Sequence, residues 1–131
     1  LVLFYDPQAL AATLDEPHNR RWLVRMGYPA EGTAEDFLHE LVRRARGETL
    51  PHEVGVFVGY PLKDVIGFVR RLPATPLHNG PWRVYGSAVE SLRRMRLYAR
   101  VEAWAARALS EAPSLEAFYA MIPPFQVTTQ Q

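Results

Sequence analysis

Cysteine is missing from this chain of 131 residues. Its absence excludes disulfide bonds, thiolate nucleophiles, iron–sulfur clusters and cysteine-ligated zinc. Also missing are an apolar run of the roughly 18 residues that a membrane-spanning helix needs and a leader with a small-residue cleavage site. We therefore expect a cytoplasmic protein that does not enter a membrane. Because the sequence begins at Leu1, inside an apolar run, we also expect that a further segment precedes it.

An excess of one charge is lacking too, since fifteen basic and fourteen acidic residues leave a formal net charge of +1. A protein that holds nucleic acid by bulk electrostatics needs a strong positive excess, so this class of partner is disfavoured. Hydrophobic residues make up 48% and charged residues 22% of the chain, which is the balance of an ordinary globular domain. We predict one domain over residues 1–122 and a frayed tail over residues 123–131.

Hydrophobic spacing predicts an α+β fold that is mainly helical, with five or six helices and a small sheet. The apolar run 1–5 and the aromatic run 82–85 are bounded by turn residues, which is typical of short strands. Ser87 and Glu90 have the spacing of a capping box, which indicates a helix start. This helix is the longest one predicted and extends over residues 87–110.

Two Gly-Tyr-Pro triplets, at residues 27–29 and 59–61, predict helix ends. Glycine supplies the left-handed residue after a last helical turn, the next side chain packs back, and proline stops the helix. Each triplet follows a Pro-His pair and precedes an apolar helix that ends in two arginines. A duplicated unit and simple reuse of an efficient stop both remain open. Residues 52–58 fit a strand, because valines alternate, or a helix, because of the stop, and we favour the helix.

A cluster of polar and aromatic residues is the candidate site for a small ligand or a partner, because an apolar core would not need these side chains. Its residues are His52, Glu53, Tyr60, Lys63, Asp64, Trp82 and Tyr85. Aromatic side chains with polar atoms suit small-molecule sites, although most of them belong to a core. We predict no metal and no cofactor. Val56 stands four residues after His52, where a zinc protease has histidine, and no glycine-rich phosphate loop follows a strand.

A stripe of arginines on the long helix is a second candidate site, for an anion or an acidic partner. At helical spacing the stripe lies between apolar patches and consists of Arg93, Arg96, Arg100 and Arg107. The ordinary explanation is a solvated face whose long side chains cover apolar surface. Because of the flanking patches, we also predict a second subunit or a protein partner at residues 87–110.

Two separated segments of the chain resemble an uncharacterised family. Residues 51–69 read PHEVGVFVGYPLKDVIGFV, and residues 80–86 read GPWRVYG. They are similar to family 3793 of bacterial and archaeal domains of unknown function, whose members typically read PHE-(I/V)-G-x-F-x-GYPL-x-DV-x-GF and then G-x-W-(K/R)-VYG before a long helix. The resemblance covers residues 1–110 approximately and implies no particular reaction. It implies an upstream His-Cys segment, which this sequence lacks, and a cysteine nucleophile there would have His52 as its base.

Three functions remain open on the sequence alone. The first is a protein-interaction or small-ligand-binding domain that uses the candidate site. The second is a hydrolase-like enzyme whose nucleophile lies upstream of Leu1. The third is nucleic-acid binding through a helix-turn-helix at residues 50–71, which is disfavoured because Asp64 near the start of its second helix would repel phosphates.

Overall fold

Helices account for most of the residues that the structure describes. The structure, a computed structural model, describes residues 2–76, 80–122 and 126–129. Its strands are β1 (Val2–Tyr5) and β2 (Gln126–Thr129), and its helices are α1 (Pro7–Asp15), α2 (Pro17–Arg25), α3 (Ala34–Ala45), α4 (Val54–Phe57), α5 (Leu62–Val69), α6 (Val89–Glu111) and α7 (Leu115–Met121). Across these ranges, no helix is both long and apolar enough to cross a membrane.

The hydrophobic core lies among the first five helices. Its buried members are Leu10, Leu14, Leu23, Tyr28, Phe37, Leu38, Leu41, Val56, Phe57 and Val65. The helix α3 contributes three of them, and a capping box between Thr33 and Asp36 begins this helix. The helix α6 contributes none, so α6 is attached to the rest of the protein by other means.

Both Gly-Tyr-Pro triplets end a helix, and this prediction is confirmed. Gly27 and Gly59 have φ values of 96° and 87°, which place both in the left-handed region. In each triplet the tyrosine N–H donates a hydrogen bond to the carbonyl five residues earlier, at 3.1 and 2.8 Å, as in a Schellman motif. The preference for a helix over residues 52–58 is confirmed as well, although α4 is only one turn long.

The prediction of an α+β fold, with a small sheet of residues 1–5 and 82–85, is wrong. The fold is helical, residues 82–85 form no strand, and β1 pairs instead with β2 in a two-stranded antiparallel ribbon. The reason lies in the backbone of the 82–85 segment. The Tyr85 N–H donates to the Asp64 carboxylate, and the Tyr85 carbonyl accepts from Lys63. Backbone groups that bind side chains cannot also form a strand ladder.

The helix α6 begins at Val89, and its N-cap residue Ala88 provides no side-chain hydrogen bond. The predicted capping box of Ser87 and Glu90 is therefore wrong. The Glu90 carboxylate accepts instead from Arg94, one turn further along the helix, at 3.4 Å. A capping box would need the Glu90 carboxylate to accept from the backbone at the helix start, but this carboxylate pairs with Arg94 four positions later.

The second Gly-Tyr-Pro triplet packs against both the 80–86 segment and α6. The rings of Tyr60 and Trp82 stack with their centroids 4.3 Å apart. The Arg94 guanidinium donates to the carbonyl of Gly59 at 2.9 Å. On α5, Gly67 lies against the Tyr85 ring, and a β-carbon added at Gly67 would be 2.6 Å from Tyr85 Cδ1. These contacts position the 80–86 segment on α5.

We expect the substitution Gly67→Ala to lower the free energy of unfolding by about 1–3 kcal/mol, because the added methyl group overlaps the Tyr85 ring. The matched control is Gly47→Ala, where the nearest atom to a β-carbon is 3.4 Å away, and its effect should be within about 0.5 kcal/mol. Urea denaturation of both variants measures the difference. A G67A protein as stable as G47A would contradict the packing described here.

Candidate ligand-binding site

The buried carboxylate of Asp64 joins α5, the 80–86 segment and α6. Its Oδ1 accepts from the Tyr85 N–H at 2.9 Å and from Lys63 Nζ at 2.6 Å. Its Oδ2 accepts from Trp82 Nε1 at 2.9 Å and from Ser91 Oγ at 2.6 Å. We call these five residues the Asp64 cluster. Because the carboxylate already accepts four hydrogen bonds, it has little capacity left for a ligand.

Hydrogen bonding keeps Asp64 ionised. Burial alone would raise the pKa of this carboxyl group, but the hydrogen bonds from Lys63, Ser91, the Tyr85 N–H and Trp82 outweigh burial and hold the pKa below its ordinary value of 3.8.

Lys63 Nζ also lies 2.7 Å from Ser91 Oγ, the separation of a nucleophile and its base. Ser91 is fully buried, so a substrate cannot reach its hydroxyl group.

His52 and Glu53 are adjacent in sequence but have separate environments. Glu53 is buried and accepts hydrogen bonds from the Tyr28 hydroxyl at 3.2 Å and from Arg44 at 3.0 Å. Burial raises the pKa of Tyr28, so its hydroxyl keeps the proton that it donates. His52 is exposed, and its ring packs edge-on against Phe68 with centroids 4.9 Å apart. The structure therefore does not bring His52 and Glu53 together as an acid–base pair.

An apolar groove of about 830 Å³ lies beside the Asp64 cluster. Four of the predicted site residues border it: His52, Tyr60, Asp64 and Trp82. The rest of its lining is mostly apolar and includes Leu3, Leu50, Val54, Val58, Val65 and Phe68. Asp64 is the one acidic residue of this lining, and its carboxylate already accepts hydrogen bonds within the Asp64 cluster. The groove therefore offers apolar and aromatic contacts to a bound molecule.

A smaller pocket of about 500 Å³ adjoins the groove and shares His52, Phe68 and Arg83 with it. Arg71 and the predicted site residue Tyr85 also line this pocket, and no acidic residue does. Within the described ranges, neither Arg71 nor Arg83 forms an ion pair. We call this space the basic pocket. Two arginines and a histidine line this pocket, and it shares Arg83 and His52 with the apolar groove.

Arg71 has a left-handed backbone conformation, with φ of 54°, and is the one non-glycine residue with positive φ in the part of the chain that the structure describes. It follows α5 in the position that Gly27 and Gly59 occupy after α2 and α4. The next N–H, that of Leu72, donates to the Gly67 carbonyl at 2.9 Å and completes the same motif. A side chain in this conformation costs about 1 kcal/mol relative to glycine. Such strain is often found where the side chain has a function.

The arginine stripe lies on α6 and borders neither the groove nor the basic pocket. Its four side chains are exposed, and none forms an ion pair within the described residues: Arg93, Arg96, Arg100 and Arg107.

No group of three metal-ligating side chains occurs in the described residues. In the predicted helix-turn-helix, the polar residues at the start of α5 are Lys63 and Asp64, and both are held in the Asp64 cluster.

Sequence analysis missed Arg71 and Arg83 as site residues. The sequence predicts a strand at Arg83 and an arginine pair at the end of a helix for Arg71, and neither pattern indicates a site residue. One signal for Arg71 exists. The triplet Arg71-Leu72-Pro73 has the same order as the two Gly-Tyr-Pro triplets, with arginine in place of glycine and leucine in place of tyrosine. An arginine at a position that favours glycine indicates that the side chain is needed there.

Comparison with known proteins matches residues 1–119 to the family described as "Protein of unknown function (DUF3793)". The resemblance found in the two sequence segments is thereby confirmed. No curated protein and no solved structure matches the chain.

We expect Asp64→Asn to lower the free energy of unfolding at pH 7 by about 2–4 kcal/mol, because asparagine lacks the charge and one of the acceptor oxygens. Since folding lowers the pKa of Asp64, the carboxylate stabilises the protein above about pH 4, and this contribution is lost as the pH falls through the folded-state pKa. The difference between D64N and the wild type should therefore narrow in acid. Thermal melts at several pH values measure it.

The control for this prediction is His52→Ala, which should leave the melting temperature nearly unchanged because His52 is exposed. A large loss of stability in H52A, or none in D64N, would contradict this account, in which Asp64 stabilises the fold and His52 does not.

Proposed function

The chain belongs to the family of proteins of unknown function DUF3793, and we propose that it binds a small amphipathic anion. The apolar or aromatic body of the ligand would lie in the apolar groove, and its carboxylate or phosphate group would lie in the basic pocket. The volume of the groove, about 830 Å³, falls within the range of small-molecule sites. We keep the cytoplasmic location and the single domain over residues 1–122 as parts of this proposal.

The observation that carries the proposal is the conformation of Arg71. The other two helix ends of the same type have glycine at this position, where no side chain strains the backbone. At the third end the protein has an arginine that faces a pocket without a carboxylate. The guanidinium group has forked donors that match the oxygens of a carboxylate or phosphate. A strained residue with an unpaired charge beside an apolar groove supports anion binding.

The composition of the groove supports the amphipathic part of the ligand. Tyr60 and Trp82 stack on each other beside apolar residues of α4 and α5, so a flat or aliphatic group can displace water from this surface. His52 and Arg83 border both spaces and connect the apolar part to the basic part. A ligand that is only charged or only apolar would use one of the two spaces and leave the other hydrated.

The hydrolase hypothesis shares this site, because His52 borders the groove. It places its nucleophile in a segment upstream of Leu1, and the hydroxyl of the Asp64 cluster, on Ser91, is buried. Binding requires only groups that the described residues present. For this reason we propose binding and not hydrolysis.

We expect Arg71→Gly to weaken binding and to stabilise the fold at the same time. Decanoate is the probe, with decylamine, of equal chain length and opposite charge, as the ligand control. Loss of one charge-assisted contact should raise the dissociation constant for decanoate about 10-fold or more, while relief of the left-handed strain should raise the free energy of unfolding by about 0.5–1 kcal/mol. Titration calorimetry and urea denaturation measure the two effects.

The matched variant is Arg70→Gly, because Arg70 precedes Arg71, has ordinary helical φ and does not line the basic pocket. R70G should bind decanoate as the wild type does and should be no more stable. Equal binding of decanoate and decylamine by the wild type, or unchanged binding in R71G, would overturn the proposed function.

A further inference from the structure

The basic pocket has more positive charge than its lining balances. Arg71 and Arg83 both line it, and within the described residues neither guanidinium group forms a hydrogen bond or an ion pair. All fourteen acidic residues of the chain lie in the described ranges, and none of them lines this pocket. The pocket therefore has two positive charges that no side chain of its lining offsets.

Two buried carboxylates belong to neighbouring parts of the fold, but each already has a cation of its own. Glu53 pairs with Arg44 at 3.0 Å. Asp64, which accepts from the Tyr85 N–H, pairs with Lys63 at 2.6 Å. A buried carboxylate that is paired and hydrogen-bonded in this way has little charge left to offset a further cation. The missing negative charge is therefore one that a ligand supplies.

A third unpaired donor belongs to the same pocket. Tyr85 lines it, and the Tyr85 hydroxyl forms no hydrogen bond within the part of the chain that the structure describes. The position of this residue is fixed, because Asp64 accepts from its backbone N–H and its ring packs on Gly67. A donor that is already held in place loses little conformational entropy when a ligand binds.

Two guanidinium groups and a hydroxyl match a phosphate monoester better than a carboxylate. A carboxylate has two oxygens and one charge, so a single guanidinium fork satisfies it and the second arginine stays unpaired. A phosphate monoester has three terminal oxygens and a charge of about −1.5 to −2 at neutral pH. We infer that the basic pocket binds the dianionic headgroup of a phosphate monoester, whose apolar alcohol part lies in the apolar groove. This inference rests on the proposed function and narrows its class of ligand.

Decyl phosphate and decyl sulfate test the inference, because they share the alkyl chain and three terminal oxygens but differ in charge. At about pH 8 the phosphate is a dianion and the sulfate a monoanion, so calorimetry below the micelle concentration should give decyl phosphate a dissociation constant at least about 10-fold lower. At about pH 5 the phosphate has lost its second charge, and the two dissociation constants should agree within about 3-fold.

The comparison of two ligands removes the effect of pH on the protein itself. The titratable groups that line the pocket act on both ligands: His52, Arg71, Arg83 and Tyr85. The ratio of the two dissociation constants at each pH therefore reports the second charge of the phosphate.

The substitution Arg83→Gln removes one of the two charges but keeps an amide donor. At about pH 8 it should reduce the preference for decyl phosphate over decyl sulfate to about 3-fold or less. The matched control is Arg93→Gln, the same change on an exposed arginine of α6 that lines neither space, and it should keep the wild-type preference. Arg83 is exposed as well, so both variants should keep their helical circular dichroism.

Inorganic phosphate distinguishes the ester from the free ion. It should bind at least about 30-fold more weakly than decyl phosphate, because it leaves the apolar groove hydrated. Decyl phosphate that binds no more tightly than decyl sulfate at about pH 8, an unchanged preference in R83Q, or inorganic phosphate that binds as tightly as the ester would overturn the inference.

The inference and the proposed function fail in different ways. If decyl phosphate and decyl sulfate bind equally but decanoate still binds more tightly than decylamine, the dianionic headgroup is wrong and the proposed function stands. If no decyl anion binds, both are overturned.

Discussion

The buried carboxylate of Asp64 attaches the 80–86 segment and α6 to α5, beside a core cluster of the first five helices that includes no residue of either. Removing a carboxylate from water costs several kcal/mol, and this cost is offset only if its oxygens are fully hydrogen-bonded. Asp64 meets this condition with donors from three separate parts of the chain. The carboxylate therefore specifies one arrangement of these parts, because any other arrangement leaves a buried charge without partners.

The groove and the basic pocket depend on this arrangement. Trp82 donates its indole N–H to Asp64 and stacks its ring on Tyr60, so one side of the groove is positioned by the carboxylate. Arg83 follows Trp82 directly and reaches the basic pocket from there. The same carboxylate accepts a hydrogen bond from Ser91 near the start of α6, so the start of this helix is attached to α5. One buried charge thus positions Trp82 and, through it, the neighbouring Arg83 of the proposed site.

The sequence predicts the two Gly-Tyr-Pro helix ends correctly, and it fails where a contact outside the local pattern decides the structure, as Arg94 does for the capping box of Ser87 and Glu90. The Gly-Tyr-Pro triplets predict helix ends because the left-handed glycine and the returning hydrogen bond involve only neighbouring residues. Residues 82–85 have the composition of a strand, but Asp64, about twenty positions earlier, takes the Tyr85 N–H. The predicted cluster contains polar and aromatic residues that do border the groove. However, Glu53 and Asp64 are buried and His52 is exposed, and residue spacing alone does not predict this difference in burial. The sequence does not identify Arg71, because its distinctive feature is a left-handed backbone angle. Leu72 and Pro73, which follow it, are only an indirect sign of that angle.

Hydrogen exchange of the Trp82 indole N–H and the Tyr85 amide, followed by NMR, tests most directly whether the Asp64 carboxylate holds these segments together. Both protons are donated to Asp64, so they should exchange at the same slow rate and only through global unfolding. The indole N–H of Trp104, whose side chain is 45% exposed, is the internal reference and should exchange quickly. Rapid exchange of the Trp82 and Tyr85 protons, at the rate of Trp104, would contradict the central role of Asp64.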